Sequence, residues 1–443
     1  MYARHRKRFL SPRRVWARPS AGLLLLSVLT SGCSLDADSE SPGEFGFRTL
    51  TSPAGDGARY PHLAADGDDV LMAWLEPVGD SLFSLRGSRF SEGIWGEPWI
   101  VAESDGFFVN WADFPSLVPL ANGTLVAHWL QRGGQNAYDY SVQISTSEPD
   151  GAVWSPPRRL HDDDTPTEHG FVSLVADSEG GLAAFWLDGR KNALPGDDDG
   201  DPATRGPEPA EEMTVRGRRV DPAGDWGPEV LLDGRACDCC QTSGVRLADG
   251  RFALVYRDRD PDEVRDIFIV RGRAGAWEDP RPVSRDGWVM PACPVNGPSI
   301  DVAGQSLAVA WFTAADGEPK VSVAFSHDEG ERWDAPITVD DGDPQGRVQV
   351  AFLSTGDAVV LWMGRSESGA GELRVRRVSP GGVTGPVTGF RSISGTRADG
   401  FPRIAPLGAD RFMVAWTESD GRRGEGTEEV GVGLIEWNGG GNR

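Results

Sequence analysis

The chain has 443 residues and a formal net charge of −23 at pH 7, and 39% of its residues are hydrophobic. A surface this acidic repels nucleic acid and anionic lipid, so we expect neither as a direct partner. Beyond the N-terminal region, no segment is apolar for long enough to cross a bilayer. The sequence therefore predicts a folded body that reaches a membrane only through an N-terminal anchor.

Residues 1–32 have the pattern of a signal peptide. A basic start without acidic residues precedes an apolar run, 21–29, which is too short to span a bilayer. The run ends in a sequence that resembles a bacterial lipobox, with Cys33 as the lipidated residue; ordinary cleavage nearby is the alternative. Residues 33–45 are this Cys and a polar tether. Because Ser34 follows Cys33, we expect a lipid-anchored envelope protein, in the outer membrane if the host is Gram-negative.

Residues 46–443 contain one repeated unit with a spacing of about 55 residues. Each copy has a short apolar run, a turn rich in Gly and Asp, and a second apolar run that carries an aromatic residue. This is the pattern of two strands joined by a tight turn, and two further strands follow in each copy. The repeated aromatic residues are Trp74, Trp129, Trp186, Tyr256, Trp311, Trp362 and Trp416.

Four strands per repeat without any helical periodicity predict an all-β fold, a β-propeller of four-stranded blades. We expect seven blades, with six as the alternative if one weak copy is misread. The last copy stops after its third strand, whereas 44–51 has the pattern of a strand without a partner. That N-terminal strand is expected to complete the last blade and close the ring, which leaves no open sheet edge.

One turn carries a recognisable motif. Ser326, Asp328, Gly330 and Trp333 match the Asp box, and Gly with a following Trp recurs at equivalent places, for example at Gly93 and Trp95. Over nearly all of 46–443 the chain thus resembles the BNR or Asp-box repeat proteins, the superfamily that contains the sialidases. The resemblance implies their propeller fold. It says little about activity, because the Asp box is a structural turn away from any site.

The resemblance also suggests where a sialidase-like site would lie. Arg59 stands at the place of the first substrate-binding arginine, and Arg347 and Arg397 lead into the last two inner strands. Such arginines would bind a carboxylate through paired hydrogen bonds. The late tyrosine nucleophile has no counterpart, since no Tyr follows Tyr256, which we interpret as a packing residue. Carboxylates for glycoside hydrolysis would be Asp258 with Asp113 or Glu418.

The cysteines form the second candidate site. Cys237, Cys239 and Cys240 precede the inner strand of the fourth blade, and Cys293 precedes that of the fifth. In a propeller these two loops are neighbours on one face, close to the axis. Three interpretations stay open: two disulfides in an oxidising envelope, a thiolate site for Cu or Zn, or a redox pair of Cys237 and Cys240.

Other residues of these loops are candidate ligand contacts. Trp111 and Trp288 have rings that can stack on a sugar, and Asn296 and His169 are polar candidates beside them. His169 is a candidate metal ligand or base. Calcium binding at Asp197, Asp199 and Asp201 is the alternative to an ordinary acidic loop.

Three functional hypotheses follow. The leading one is an envelope-anchored, monomeric propeller that binds a glycan or an anionic small ligand in its axial funnel. The second is an exo-α-sialidase-like glycoside hydrolase, and the third is a thiolate metal-binding protein on the same scaffold.

Overall fold

The computed structural model describes residues 44–149, 151, 153–192, 212–273, 275–383, 385–419 and 428–439. Within these ranges the chain forms 31 β-strands and only three short 3-10 helices, at Arg190–Asn192, Ala315–Gly317 and Arg397–Asp399. None of the described helices is long and apolar enough to cross a membrane. The predicted signal peptide, Cys33 and the predicted calcium ligands at 197, 199 and 201 lie outside the described residues.

The strands form seven antiparallel sheets. Strand β1 (Phe45–Leu50) stands ahead of the first sheet, which contains β2 (Arg59–Asp66), β3 (Asp69–Pro77), β4 (Phe83–Ser91), β5 (Ile94–Trp95) and β6 (Trp99–Ser104). The second contains β7 (Ser116–Pro119), β8 (Leu125–Arg132), β9 (Tyr140–Thr146) and β10 (Arg158–Arg159). The third contains β11 (His169–Ala176), β12 (Leu182–Asp188), β13 (Met213–Val220) and β14 (Val230–Ala236).

The remaining four sheets follow in chain order. The fourth contains β15 (Ser243–Arg246), β16 (Phe252–Arg257), β17 (Ile267–Arg273), β18 (Ala276–Trp277) and β19 (Arg281–Ser284). The fifth contains β20 (Ser299–Ala303), β21 (Ser306–Thr313), β22 (Lys320–Ser326) and β23 (Ile337–Thr338). The sixth contains β24 (Pro344–Phe352), β25 (Ala358–Arg365), β26 (Gly371–Ser379), β27 (Gly382–Val383) and β28 (Thr388–Ile393). The seventh contains β29 (Arg403–Pro406), β30 (Arg411–Glu418) and β31 (Glu429–Trp437).

The first strands of the seven sheets surround a central axis. Strands β2, β7, β11, β15, β20, β24 and β29 each contact the next one in this order, and β29 contacts β2. The seven-bladed propeller is therefore confirmed, and the six-bladed alternative is wrong. We call the end of the molecule at which these inner strands begin the mouth face.

The core lies between the blades. Seven hydrophobic clusters each join two neighbouring sheets, so every one of the seven interfaces has its own cluster. The repeated aromatic residues are buried in the second strand of each blade. Several of them also donate a hydrogen bond to a nearby carboxylate, as Trp74 does to Glu76 and Trp186 to Asp188. Tyr256 donates to Asp233 in the same manner, which agrees with a packing role.

Strand β1 closes the ring. It pairs antiparallel with β31, from Phe45 opposite Trp437 to Leu50 opposite Val432, and is the outermost strand of the seventh sheet. The ring of Phe47 lies 4.8 Å from that of Phe390. The N-terminal strand thus covers the edge that β31 would otherwise expose.

The segment that matches the Asp box in sequence forms a hydrogen-bonded turn between β22 and β23. The Ser326 hydroxyl accepts a hydrogen bond from the Gly330 N–H at 2.8 Å and donates to Asp328 at 3.0 Å. Asp328 accepts from the Arg332 N–H at 2.9 Å. Gly330 has φ of 84°, and Trp333 packs on the cluster between the fourth and fifth blades. Because β22 ends opposite the mouth face, this turn has no part in the funnel.

Candidate functional site

Three inner strands begin with a bulge and a left-handed residue, Tyr60, Phe171 or Arg347, with φ between 54° and 55°. Left-handed backbone is uncommon for such residues and is often retained at functional sites. A side chain from another blade stabilises each bulge: Thr417 accepts from the Tyr60 N–H, Asp113 from Phe171 and Asn296 from Arg347, at 2.7–2.8 Å. Asn296 and Asp113 are therefore links between blades at the mouth face.

A cleft of about 860 Å³ opens at this face. We call it the mouth cleft, and the residues that line it include Phe108, Asn110, Trp111, Asp113, Asn136, Tyr138, Asp139, Tyr140, Glu168, Asp238, Cys239, Cys293 and Arg397. Tyr138 is 60% exposed, and its ring lies near that of Phe108, which stacks on Tyr140 at 4.0 Å. Trp111 lies partly exposed and stacks on Phe401 at 6.1 Å. Aromatic surfaces and short polar side chains thus line one cavity.

Two carboxyl groups meet at one phenol in the wall of this cleft. The hydroxyl oxygen of Tyr140 lies 2.9 Å from Asp113 Oδ2 and 2.6 Å from Glu168 Oε1. A phenol carries one proton, so a second hydrogen bond requires a proton on one carboxyl group. Burial raises the pKa of Asp113 to about 7, although its hydrogen bonds with Phe171 and Tyr140 oppose the shift. Asp113 can therefore donate to Tyr140, which donates to Glu168.

The three candidate arginines do not converge on one ligand position. Arg347 is buried and donates to the carbonyl groups of Gly400 at 2.6 Å and Thr396 at 3.0 Å. Arg59 forms an ion pair with Glu428 at 2.6 Å. Arg397 lines the mouth cleft, where its guanidinium lies 5.7 Å from the centre of the Trp111 ring. The carboxylate-binding group that the sialidase resemblance implies is thus represented in the cleft by one arginine.

The three carboxyl groups predicted for hydrolysis each have a different partner. Asp258 pairs by its backbone with Ala236, and burial together with the charge of Asp233 raises its pKa to about 7. Glu418 forms an ion pair with Arg391. Asp113 instead meets Glu168 through Tyr140. Tyr140 lies in the second blade, whereas the resemblance implies a tyrosine nucleophile late in the chain.

Trp288 does not face the cleft. Its side chain is 5% exposed and lies beneath Arg257, whose guanidinium is 4.9 Å from the ring centre, with Phe312 on another side. The ring is therefore covered by protein and offers no open face for a sugar. Trp111 is the predicted aromatic residue that does line the cleft.

Of the two disulfides that the sequence predicted as one alternative, the structure contains one. Cys239 and Cys293 form a disulfide in the wall of the mouth cleft. Cys237 and Cys240 are buried thiols with their sulfur atoms 2.7 Å apart. Burial favours the neutral thiol of Cys237, but the hydrogen bond with Cys240 and the charge of Arg265 together lower its pKa to about 7. A soft metal at this cluster would have two free sulfurs as ligands, since the disulfide uses the other two.

Tyr138, Tyr140 and Glu168 line the cleft but were not among the predicted site residues. Glu168 directly precedes inner strand β11, as Asp113 lies shortly before β7, so its position carried a usable signal. Tyr140 begins a third strand, and third strands also begin at the mouth face. The start of a third strand therefore faces the same funnel as the start of an inner strand.

Comparison with known proteins supports the fold. No protein-family model matches the sequence, and no curated protein matches it significantly. The structure is similar to the BP39L lectin of Burkholderia pseudomallei, with 16% identity, a TM-score of 0.56, and coverage of 85% of this chain and 96% of the lectin. It also matches the NanB sialidase of Streptococcus pneumoniae, with 12% identity, a TM-score of 0.46 and 83% coverage of each chain.

A further structural match is an α-L-arabinanase of Penicillium chrysogenum, with 12% identity and a TM-score of 0.45. It covers 88% of this chain and 99% of the arabinanase. The structural neighbours of this propeller thus include lectin, sialidase and arabinanase propellers. Similarity at these identities establishes the propeller fold alone.

Proposed function

We propose that this propeller binds a carbohydrate in the mouth cleft. The observation that carries the proposal is the combination of aromatic surfaces, Trp111 and Tyr138, with amide and carboxyl side chains in one cavity of about 860 Å³. Aromatic rings pack against the apolar faces of sugars, and short polar side chains fix the orientation of the hydroxyl groups. The lectin neighbour is consistent with this use of the fold.

The charges of the cleft favour a neutral glycan over an anionic ligand. Besides the protonated Asp113, the carboxyl groups of Asp139, Glu168 and Asp238 line it, whereas Arg397 is the one arginine among the lining residues described. Asp238 forms an ion pair with Arg259 at 2.9 Å, which offsets part of this negative charge. An acidic sugar would still meet more carboxyl groups than guanidinium groups, so we expect hydroxyl-rich, uncharged saccharides to bind best.

A glycan array followed by calorimetry with the best saccharide tests this proposal. We expect Trp111→Ala and Tyr138→Ala each to weaken binding about tenfold, since 1.4 kcal/mol corresponds to tenfold and an aromatic contact contributes about that much. Trp95→Ala is the matched control, because Trp95 lies in the outermost strand of the first blade. Equal affinity in wild type and both cleft variants would refute the site.

Glycoside hydrolysis in the same cleft is the second candidate function. It is favoured by the carboxyl groups of Asp113 and Glu168, which meet at Tyr140, since hydrolases use a protonated and an ionised carboxyl group together. A raised pKa for Asp113 suits the protonated member. If this function holds, Glu168→Gln abolishes release of reducing sugar while binding persists. If the wild type binds the saccharide without hydrolysing it, the hydrolase function is refuted and carbohydrate binding alone remains.

We also propose that residues 1–32 are removed and that Cys33 anchors the chain by a lipid. Support comes from the basic start, the short apolar run and the lipobox-like sequence before Cys33. Metabolic labelling with palmitate should mark the wild type and not Cys33→Ser. Label in Cys33→Ser, or none in wild type, would contradict the anchor.

The Asp-box assignment is likewise a proposal. It is supported by the match at Ser326, Asp328, Gly330 and Trp333 and by the hydrogen bonds of that turn.

A further inference from the structure

A pair of histidines lies where the loop that joins the second blade to the third meets strand β11. This loop runs from Leu160 to Glu168, between β10 and β11, on the mouth face. His161 and His169 stack with ring centres 3.8 Å apart and planes 5° from parallel. Asp163 lies beside them, and one ligand atom from each of the three residues falls within 4.8 Å of the others. The loop thus brings two imidazoles and a carboxylate together in a buried place.

Backbone carbonyl groups fix the orientation of both rings. His161 Nδ1 lies 2.9 Å from the Asp163 carbonyl oxygen, and His169 Nδ1 lies 3.0 Å from the Thr167 carbonyl oxygen. A carbonyl oxygen only accepts, so each Nδ1 carries a proton and donates it. In neutral rings this leaves both Nε2 atoms with a lone pair. Metal-binding histidines in proteins are oriented in this way, by a second hydrogen bond from the other nitrogen.

The Nε2 atom of His161 has no partner among the described residues, although its side chain is 3% exposed. A buried polar atom without a partner costs about 1–3 kcal/mol, so it calls for a specific explanation. An ion pair between His169 and Asp163 gives the Nε2 atom of His169 a partner, but the Nε2 atom of His161 still has none among the described residues.

Asp163 supplies the anionic member of the group. Its Oδ2 atom lies 2.9 Å from His169 Nε2 and accepts from the Thr165 hydroxyl. Asp188 lies behind His169 with 3.8 Å between Oδ2 and Nε2, but its oxygens already accept from Arg190 and Trp186. Asp188 is therefore an outer partner, and three residues remain as ligands.

We propose that His161, Asp163 and His169 form a binding site for a divalent transition metal ion, with Zn²⁺ as the preferred ion. Imidazole nitrogen and carboxylate oxygen are ligands that Zn²⁺ takes at about 2.0–2.2 Å. A metal ion lies in the plane of each imidazole that binds it, so the two stacked rings must tilt apart on binding. The fourth coordination position is left to water or to a ligand.

The position of the site gives it a role in the funnel. Pro166, Thr167 and Glu168, which follow Asp163 in the same loop, line the mouth cleft. A metal ion that joins His161 and Asp163 to His169 holds this loop against the first residue of β11. The ion thereby fixes Glu168, and with it the contact between Glu168 and Tyr140.

Metal binding to the untagged full chain tests the proposal. The protein is stripped with chelator and titrated with Zn²⁺ by calorimetry, and Co²⁺ is used as a spectroscopic probe because bound Co²⁺ absorbs visible light. We expect one ion per chain and at least about 100-fold weaker binding in His161→Ala and in Asp163→Asn, since loss of an outer partner alone costs about 10–100-fold. His327→Ala is the matched control, because His327 is 55% exposed on the Asp-box turn.

A double variant, Cys237→Ser with Cys240→Ser, distinguishes this site from the cysteine cluster. The proposal predicts unchanged Zn²⁺ affinity in that variant and slower hydrogen exchange at amides 161–168 when Zn²⁺ is bound. Asp163→Asn keeps the shape of a partly exposed side chain, so it remains informative if His161→Ala fails to fold. No stoichiometric binding by wild type, or binding that survives both loop variants and is lost in the cysteine variant, would overturn the proposal.

Discussion

Replacing Asp113 with Asn should remove a specific part of the pH dependence of stability. Burial raises the pKa of Asp113 from 3.8 to about 7 in the folded protein, against the opposing effect of its two hydrogen bonds. Between these two pH values the folded state holds a proton that the unfolded state has lost. Stability therefore falls as pH rises through this window, by about 1.4 kcal/mol per pH unit, or on the order of 4 kcal/mol in all.

Asn cannot titrate, and it can replace both hydrogen bonds of the protonated side chain. Its Oδ1 can accept from the Phe171 N–H, and its amide N–H can donate to Tyr140. We therefore expect Asp113→Asn to cost less than about 1.5 kcal/mol near pH 4 and to become the more stable protein near pH 8. Asp113→Ala, which leaves the Phe171 N–H without its acceptor, should be destabilised by about 2–4 kcal/mol near pH 4.

Urea unfolding at pH 4, 5.5, 7 and 8 measures these differences directly. The informative quantity is the free energy of unfolding of Asp113→Asn minus that of wild type, because contributions from all other titrating groups largely cancel. We expect this difference to rise with pH and to level off above pH 7. A difference that is constant across the four pH values would refute the assignment of a protonated Asp113 at the mouth face.

Two further predictions concern the scaffold. Replacing Cys239 and Cys293 together with Ser opens a loop with a sequence separation of 54 residues, which should cost about 4 kcal/mol by the chain-entropy argument. Thermal unfolding should therefore occur at lower temperature, and an unchanged melting temperature would show that the disulfide does not form. Ser326→Ala removes the buried acceptor of the Gly330 N–H and should cost about 1–2 kcal/mol in chemical unfolding. The exposed Ser368→Ala should cost nothing measurable, and equal values for the two variants would contradict the stabilising role of this turn.

The fold could be predicted because the same pattern of strands and turns recurs in every blade. The aromatic residue of the second strand recurs seven times, and all seven side chains are buried between blades. The unpaired N-terminal strand was recognisable because the last copy is one strand short. Local hydrophobic pattern and turn residues determine both features, so one sequence was sufficient.

The site could be predicted only as a face of the molecule. The sequence placed Asp113, Trp111, Arg397 and the cysteines on the funnel loops, and these residues do lie at the mouth face. The sequence could not show that Arg347 donates its hydrogen bonds to backbone carbonyl groups, or that Arg59 forms an ion pair with Glu428. These choices depend on side-chain contacts between blades far apart in sequence, for which the repeat pattern carries no signal.

For the same reason, the sequence did not predict the contact between the two histidines or the hydrogen bond between Tyr140 and Glu168. His169 could be recognised in the sequence as a polar residue near the funnel. That His161 stacks on it could not, because this contact forms only when the loop folds back on β11. Tyr140 and Glu168 are 28 residues apart, and the hydrogen bond between them depends on how the second and third blades pack.

The most direct test of the central claim is a crystal structure of the protein soaked with the saccharide that binds best on the glycan array. We predict electron density for a sugar ring in the mouth cleft, in contact with Trp111 or Tyr138 and within hydrogen-bond distance of Glu168 or Asn136. Density for the saccharide at another surface, with the mouth cleft occupied by solvent alone, would contradict it.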